Sequence, residues 1–169
     1  MIRKILIGLL FVLVVIQFIR PAKNQGNDQS KHINTLYPMP DDVKQILALA
    51  CDDCHSNNTR YPWYNNFQPI AWWLADHVKD GKRHLNFSEL AGRRTALQYH
   101  KMEEVVEMVD EGEMPLKSYT LTHGDAKLST DQRKKIIAWA QSVMDAMKMK
   151  YPADSLVMPE RPSGPPPGN

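Results

Sequence analysis

Only two cysteines occur among the 169 residues, and both fall inside one five-residue stretch. A structural zinc site built on them would have to borrow two further ligands from elsewhere in the chain. Strand patterning is also missing: no segment of useful length alternates apolar and polar residues, which points to an all-α fold. No segment repeats, which excludes a solenoid or array. Charge of one sign is lacking too, with 21 Lys and Arg against 19 Asp and Glu. Four of those cations, Arg3, Lys4, Arg20 and Lys23, flank the apolar N-terminus, so residues 24–169 carry 17 basic and 19 acidic side chains, a net of −2. A balance so small and mixed excludes nucleic acid as a partner and strong electrostatic steering of any other.

Long apolar runs are limited to one. Met1-Ile2-Arg3-Lys4 is a basic lead, and Ile5 to Ile19 follows with only Gly8 and Gln17 interrupting it. A membrane-crossing helix takes ~20 residues and a signal-peptide core 7–15, so length alone leaves both open. The sequel Gln17-Phe18-Ile19-Arg20-Pro21 offers no small-x-small cleavage site, and no cysteine stands nearby to be lipidated. Residues 1–23 therefore read as an uncleaved signal anchor with Arg3 and Lys4 on the cytoplasmic side. A removed signal with an atypical site is the alternative; in both cases the rest of the chain is exported.

What is present is Cys51-Asp52-Asp53-Cys54-His55, a C-x-x-C-H. That spacing is the attachment signature of a c-type haem, in which two thiols add to the porphyrin vinyl groups. The histidine after the second thiol then supplies the proximal iron ligand. Three positions bring Cys51 and Cys54 to neighbouring turns of a helix, facing one porphyrin edge. Two other chemistries use a C-x-x-C. A redox dithiol sits between a strand and a helix, and nothing upstream of Cys51 reads as a strand. Zinc would need two of His77, His84, His100 and His123. The implied cofactor is haem c, one iron protoporphyrin held by two thioethers.

The remaining pattern is helical. Residues 24–40 are polar, end in Tyr37-Pro38-Met39-Pro40 and read as a linker. Asp41 or Asp42 caps a helix through Val43, Ile46, Leu47 and Ala50, which delivers Cys51. Gln68 to Asp80 reads as a helix with Ile70, Trp73, Leu74, His77 and Val78 on one face and Gly81 ending it. Ser88 caps a further helical region, broken or continuous, through Leu90, Leu97, Met102, Val105, Val106 and Val109, stopped by Gly112. Residues 113–128 read as an irregular loop around Pro115. Ser129-Thr130-Asp131-Gln132 is a capping box opening a last helix through Ile136, Ile137, Ala140, Val143 and Met147. Trp139 is expected to pack it against the first helix. The domain is thus 41–150, about the usual single-domain size, and 151–169 is a Pro-rich disordered tail.

This order resembles class I cytochrome c: a helix into C-x-x-C-H, a middle helical section, a Met-Pro loop and a closing amphipathic helix. Within that class the chain looks most like membrane-anchored bacterial haem-binding domain proteins. The resemblance is carried by residues 51–64, Pro69 to Trp73, His84-Leu85-Asn86-Phe87-Ser88 and Gly112-Glu113-Met114-Pro115, and it covers roughly residues 37–147. The long Trp- and His-bearing insertion between His55 and Met114 departs from class I cytochromes.

The sixth iron ligand separates an electron carrier from a ligand-binding site. Met114 is the candidate, because it follows a helix-ending glycine and precedes Pro115 in the loop before the last helix. Thioether ligation stabilises ferrous iron. His77, on the apolar face of its helix, is the alternative. Arg60, Tyr61, Trp63 and Trp73 are candidate pocket residues, though each also suits ordinary packing. The acidic run from Glu103 to Glu113 reads as a solvated helix face. The expected function is a membrane-tethered cytochrome, not an enzyme, that passes single electrons. It would sit in the cytoplasmic membrane with its haem domain in the periplasm, meeting periplasmic or membrane redox proteins. A haem-based sensor or small haem enzyme with an open sixth position is the alternative; no distal His–Arg pair accompanies the motif.

Overall fold

Helices α5 (Thr95–Asp110) and α7 (Thr130–Lys150) lie against each other and form the body of the domain in a computed structural model, which describes residues 1–159. Their meeting faces are the apolar positions of the pattern. Met102, Val105 and Val109 join Ile136, Ala140, Val143 and Met147 in one buried core. Full burial of side chains of this size is worth ~1.5–3 kcal/mol each. Ser129 opens α7 as expected: its hydroxyl accepts from the Gln132 N–H at 3.2 Å while Gln132 Oε1 accepts from the Ser129 N–H at 2.8 Å. The other helices are α1 (Ile2–Ile16), α2 (Asp41–Ala50), α3 (Asp52–His55), α4 (Ile70–His84) and α6 (Lys117–Thr120). Among the described residues there is no strand, only an isolated bridge between Gln25 and Asn58.

α2 lays Val43, Ile46, Leu47 and Ala50 into the same core and packs on α7. Trp139 is buried there, near Phe87, and donates its indole N–H to the Pro38 carbonyl at 3.3 Å. No side chain caps α2; Asp42 Oδ1 accepts only from the adjacent Val43 N–H. Nor does Ser88 cap α5, which starts seven residues later at Thr95, after a separate turn at Leu90–Gly92.

Residues 24–40 do not form a free linker. Ile33 and Tyr37 are buried in the core. The backbone of this stretch pairs at both ends: Gly26 N–H donates to the Asn57 carbonyl at 2.7 Å, and Ile33 N–H to that of Phe87 at 3.1 Å. Its polar side chains conceal a backbone that is tied down. Residues 113–128 likewise contain α6 and a turn at Gly124–Ala126 rather than continuous irregular loop. Of the C-terminal segment expected to be disordered, Ala153–Leu156 forms a turn with Leu156 buried, while 160–169 lie outside the described residues.

Gly81 does not end α4, which runs three residues further to His84. A Cβ at Gly81 would stand 2.6 Å from the Cys54 carbonyl oxygen and 2.9 Å from its Cβ. Glycine is needed there because α4 crosses the Cys-bearing helix α3 backbone to backbone. Gly81→Ala is expected to destabilise the protein by ~1–3 kcal/mol through overpacking, despite the ~1 kcal/mol that alanine ordinarily gains in a helix. Denaturant unfolding reads this against Gly124→Ala, whose added methyl meets nothing within 4 Å. Equal midpoints for the two variants would refute the close approach.

α1 has no buried residue. Its 15 residues rise ~22 Å, less than the ~30 Å of a bilayer hydrocarbon core. No helix among the described residues is long and apolar enough to cross a membrane.

Candidate functional site

The C-x-x-C-H stretch lies at a break between two helices. α2 closes at Cys51, whose N–H still donates to the Leu47 carbonyl at 2.8 Å, and α3 starts at Asp52. Cys54 and His55 then donate their N–H groups back to the Cys51 carbonyl at 3.1 and 2.9 Å, closing one tight turn with both thiols free and half-buried. Burial pushes the Cys51 thiol up to about 12 and the Cys54 thiol up to about 11, with the neighbouring Asp52 and Asp53 carboxylates adding to it respectively. Reactive dithiols need the opposite shift, so this pair lacks the electrostatics of a redox dithiol. Burial also pushes the Asp52 carboxyl up, to about 6.

His55 has one committed nitrogen. Its Nδ1 lies 3.0 Å from the Leu85 carbonyl. A carbonyl only accepts, so Nδ1 carries the hydrogen, and a neutral ring then has its lone pair on Nε2. Burial keeps the ring neutral by lowering its pKa below the ordinary histidine value. A backbone carbonyl on the second nitrogen is the usual way that a metal-binding imidazole is oriented.

A cleft opens beside this turn, in two adjoining parts that share Cys51, His55, His84 and Met114. The larger, about 500 Å³, runs between α2 and α5, walled by Leu47, Phe87, Val105 and Ile136. The smaller, about 250 Å³, runs between α3 and α4, where Cys54, His77 and Gly81 meet Pro115 and Leu116. Volumes of this order suit a ligand of several hundred Å³. The chemistry of the donor set fits a haem: two unpaired thiols, a neutral imidazole with a free Nε2, and a thioether, around a mostly apolar space.

Met114 is set by backbone. α5 ends at Asp110, and Gly112 takes φ +76°, the left-handed conformation that glycine tolerates. The Met114 N–H then turns back to donate to the Met108 carbonyl at 3.1 Å. Beyond the cis Met114–Pro115 bond, Tyr119 on α6 donates its hydroxyl to Asp53 Oδ2 at 2.6 Å. Asp53 is 5 % exposed. Its Oδ1 accepts from the Arg60 N–H at 2.8 Å, and the Arg60 guanidinium lies on both oxygens at 3.2–3.3 Å. One carboxylate between the two cysteines thus ties the Met114 loop to the cysteine turn. Sequence reasoning missed both Asp53 and Tyr119; an aspartate held between two thiols was the one signal available.

The structure brings Cys51, Cys54, His55 and Met114 to the cleft and places His77 at the edge of its smaller part. His77 Nδ1 lies 2.9 Å from the Trp73 carbonyl, which leaves its Nε2 free as well. Of the residues expected around the pocket, Arg60, Tyr61 and Trp73 line a further hollow that shares Asp53, Cys54, His77 and Tyr119 with the smaller part, whereas Trp63 lines none of these spaces. Arg60 is taken by Asp53, Tyr61 accepts from the Asn24 N–H at 2.8 Å, Trp63 is 76 % exposed, and Trp73 packs against His77. His84 and His100, considered above as possible zinc ligands, line the larger part. Among the described residues no three His, Cys, Asp or Glu side chains converge to hold a metal ion, so the zinc arrangement is not formed.

The model of one protein family, described as a haem-binding domain, matches residues 11–142. No similar curated protein and no similar solved structure is found. The match spans most of the chain, and the chain belongs to the haem-binding domain family.

Proposed function

We propose that this member of the haem-binding domain family is a single-haem c-type cytochrome of the class I kind, an electron carrier rather than an enzyme, tethered to the membrane by α1 with its haem domain in the periplasm. The observation that carries the reading is the shared cleft, whose lining brings together two free thiols, an imidazole with an uncommitted Nε2 and the thioether of Met114, whose backbone is held by Met108. Cys51 and Cys54 would hold the group by thioethers, His55 Nε2 and Met114 Sδ would be the iron ligands, and the Leu85 carbonyl would orient the imidazole. Bound there, haem supplies a one-electron ferric/ferrous couple. Leu47, Phe87, Val105 and Ile136 exclude water from one wall, which lowers the local dielectric and favours the less charged, reduced state.

The reading is tested on the purified haem-loaded chain. Reductive and oxidative titrations should overlay as one single-electron transition, and carbon monoxide should leave the ferrous spectrum unchanged because both axial positions are filled. A rapid shift with carbon monoxide would mean an open iron and would move the protein to the sensor or enzyme class.

A further inference from the structure

α1 does not simply hang from the domain. Gln68, 6 % exposed, clamps the segment just after it: its N–H donates to Gln17 Oε1 at 2.9 Å, its Nε2 donates to the Ile19 carbonyl at 2.8 Å, and its carbonyl accepts from Gln17 Nε2 at 3.2 Å. Trp72 Nε1 donates to the same Ile19 carbonyl at 2.9 Å. Around this joint the domain exposes large apolar side chains: Trp63, Phe67, Ile70 and Trp72, next to Phe18 and Ile19 of the clamped segment. Trp63 and Phe67 touch edge to face with ring centroids 6.0 Å apart. Soluble monomers rarely expose such a contiguous patch without a partner for it.

Charge marks the same surface. No Asp or Glu precedes Asp28, and none stands between Asp53 and Asp76. The two segments that build the patch are thus free of acidic groups, whereas Arg20 and Lys23 belong to them; Arg60, in the second, is paired with Asp53. The cations at this joint favour anionic headgroups; the nearest carboxylate on α4 is Asp76, one turn beyond Trp72.

The length of α1 supplies the last step. A 15-residue helix of ~22 Å leaves ~8 Å of a ~30 Å hydrocarbon core unfilled. A short span is accommodated by drawing the bilayer surface toward the flanking residues. On the domain side those flanking residues are Phe18, Ile19 and the collar around Trp72. Tryptophan is the side chain that suits this depth, with an apolar ring and one polar N–H.

We infer that Trp63, Phe67, Ile70 and Trp72 form a collar that seats the domain in the headgroup–acyl boundary of the bilayer entered by α1, and so fixes how the haem cleft faces the membrane. The inference rests on the anchor reading of α1. It is tested with the full haem-loaded chain in phosphatidylcholine–phosphatidylglycerol vesicles, plain or brominated near the headgroups or near the bilayer centre. Flotation with the vesicles reads the anchor; tryptophan fluorescence, as the ratio of brominated to plain lipid, reads the collar. Haem quenches both samples alike and drops out of the ratio; Trp139, 2 % exposed in the core, does not respond, and Trp73, which packs on His77, supplies the residual signal that the double variant keeps. Expected is quenching by lipid brominated near the headgroups, most of it lost in the Trp63→Phe, Trp72→Phe variant, which should keep its haem spectrum and still float. Flotation without quenching, or quenching only from the bilayer centre, overturns the collar and leaves the anchor standing. Failure to float overturns both.

Discussion

Haem is expected to leave the polypeptide completely when Cys51→Ala and Cys54→Ala are combined. In the wild type it should survive acid-acetone extraction and a denaturing gel. Either single substitution should keep the haem attached through one remaining thioether, which separates covalent attachment from simple pocket binding. The folding consequence should be as large as the chemical one. The cleft of about 500 Å³ is walled by Leu47, Phe87, Val105 and Ile136, so a bound porphyrin takes those apolar faces out of water. A chain without haem leaves them exposed to solvent and should be looser around the cleft. Its thermal transition should broaden and fall well below that of the loaded protein, and amide exchange should speed most in α3 and around Met114. Extractable haem in the wild type, or haem retained on the polypeptide after the double substitution, would remove the covalent site.

Much of this arrangement is legible in the sequence because it rests on local rules. The Ser129–Gln132 capping box, the left-handed Gly112 and the apolar face of α2 each depend on residues within one or two turns. What could not be read depends on where distant segments meet. Gly81 looks like a helix stop until Cys54 is found against it, since a glycine demanded by a crossing and one demanded by a cap share the same letter. Residues 24–40 look like a linker because their side chains are polar, while the groups that bind them, at Asn57, Phe87 and Ala91, are backbone and leave no compositional trace. Of the aromatic residues expected at the cofactor by their chemistry, Tyr61 and Trp73 line the hollow beside Cys54, while Trp63 turns outward. Asp53 escaped notice because its partners Arg60 and Tyr119 are seven and sixty-six residues away.

Met114→Ala should convert the carrier into an open-iron protein. Wild-type ferric protein should show the weak far-red band of Fe–S ligation, and ferrous protein the strongly upfield-shifted methionine methyl resonances; both should vanish in the variant. Carbon monoxide should then bind the ferrous form, and the midpoint potential should fall by about 0.1–0.3 V within the ~0.8 V range that axial ligands command, because a thioether favours Fe(II) and its loss removes that preference. His77→Ala is the decisive companion. His77 also has an uncommitted Nε2 and lines the smaller part of the cleft, so it is the residue most able to replace the thioether. With Met114 as ligand, His77→Ala leaves band, resonances and potential in place and costs only the packing of its ring on Trp73. If His77→Ala instead yields high-spin iron while Met114→Ala changes nothing, both axial ligands are imidazoles. The protein then works at low potential, and the backbone hydrogen bond from Met114 to Met108 shapes a loop rather than a ligand.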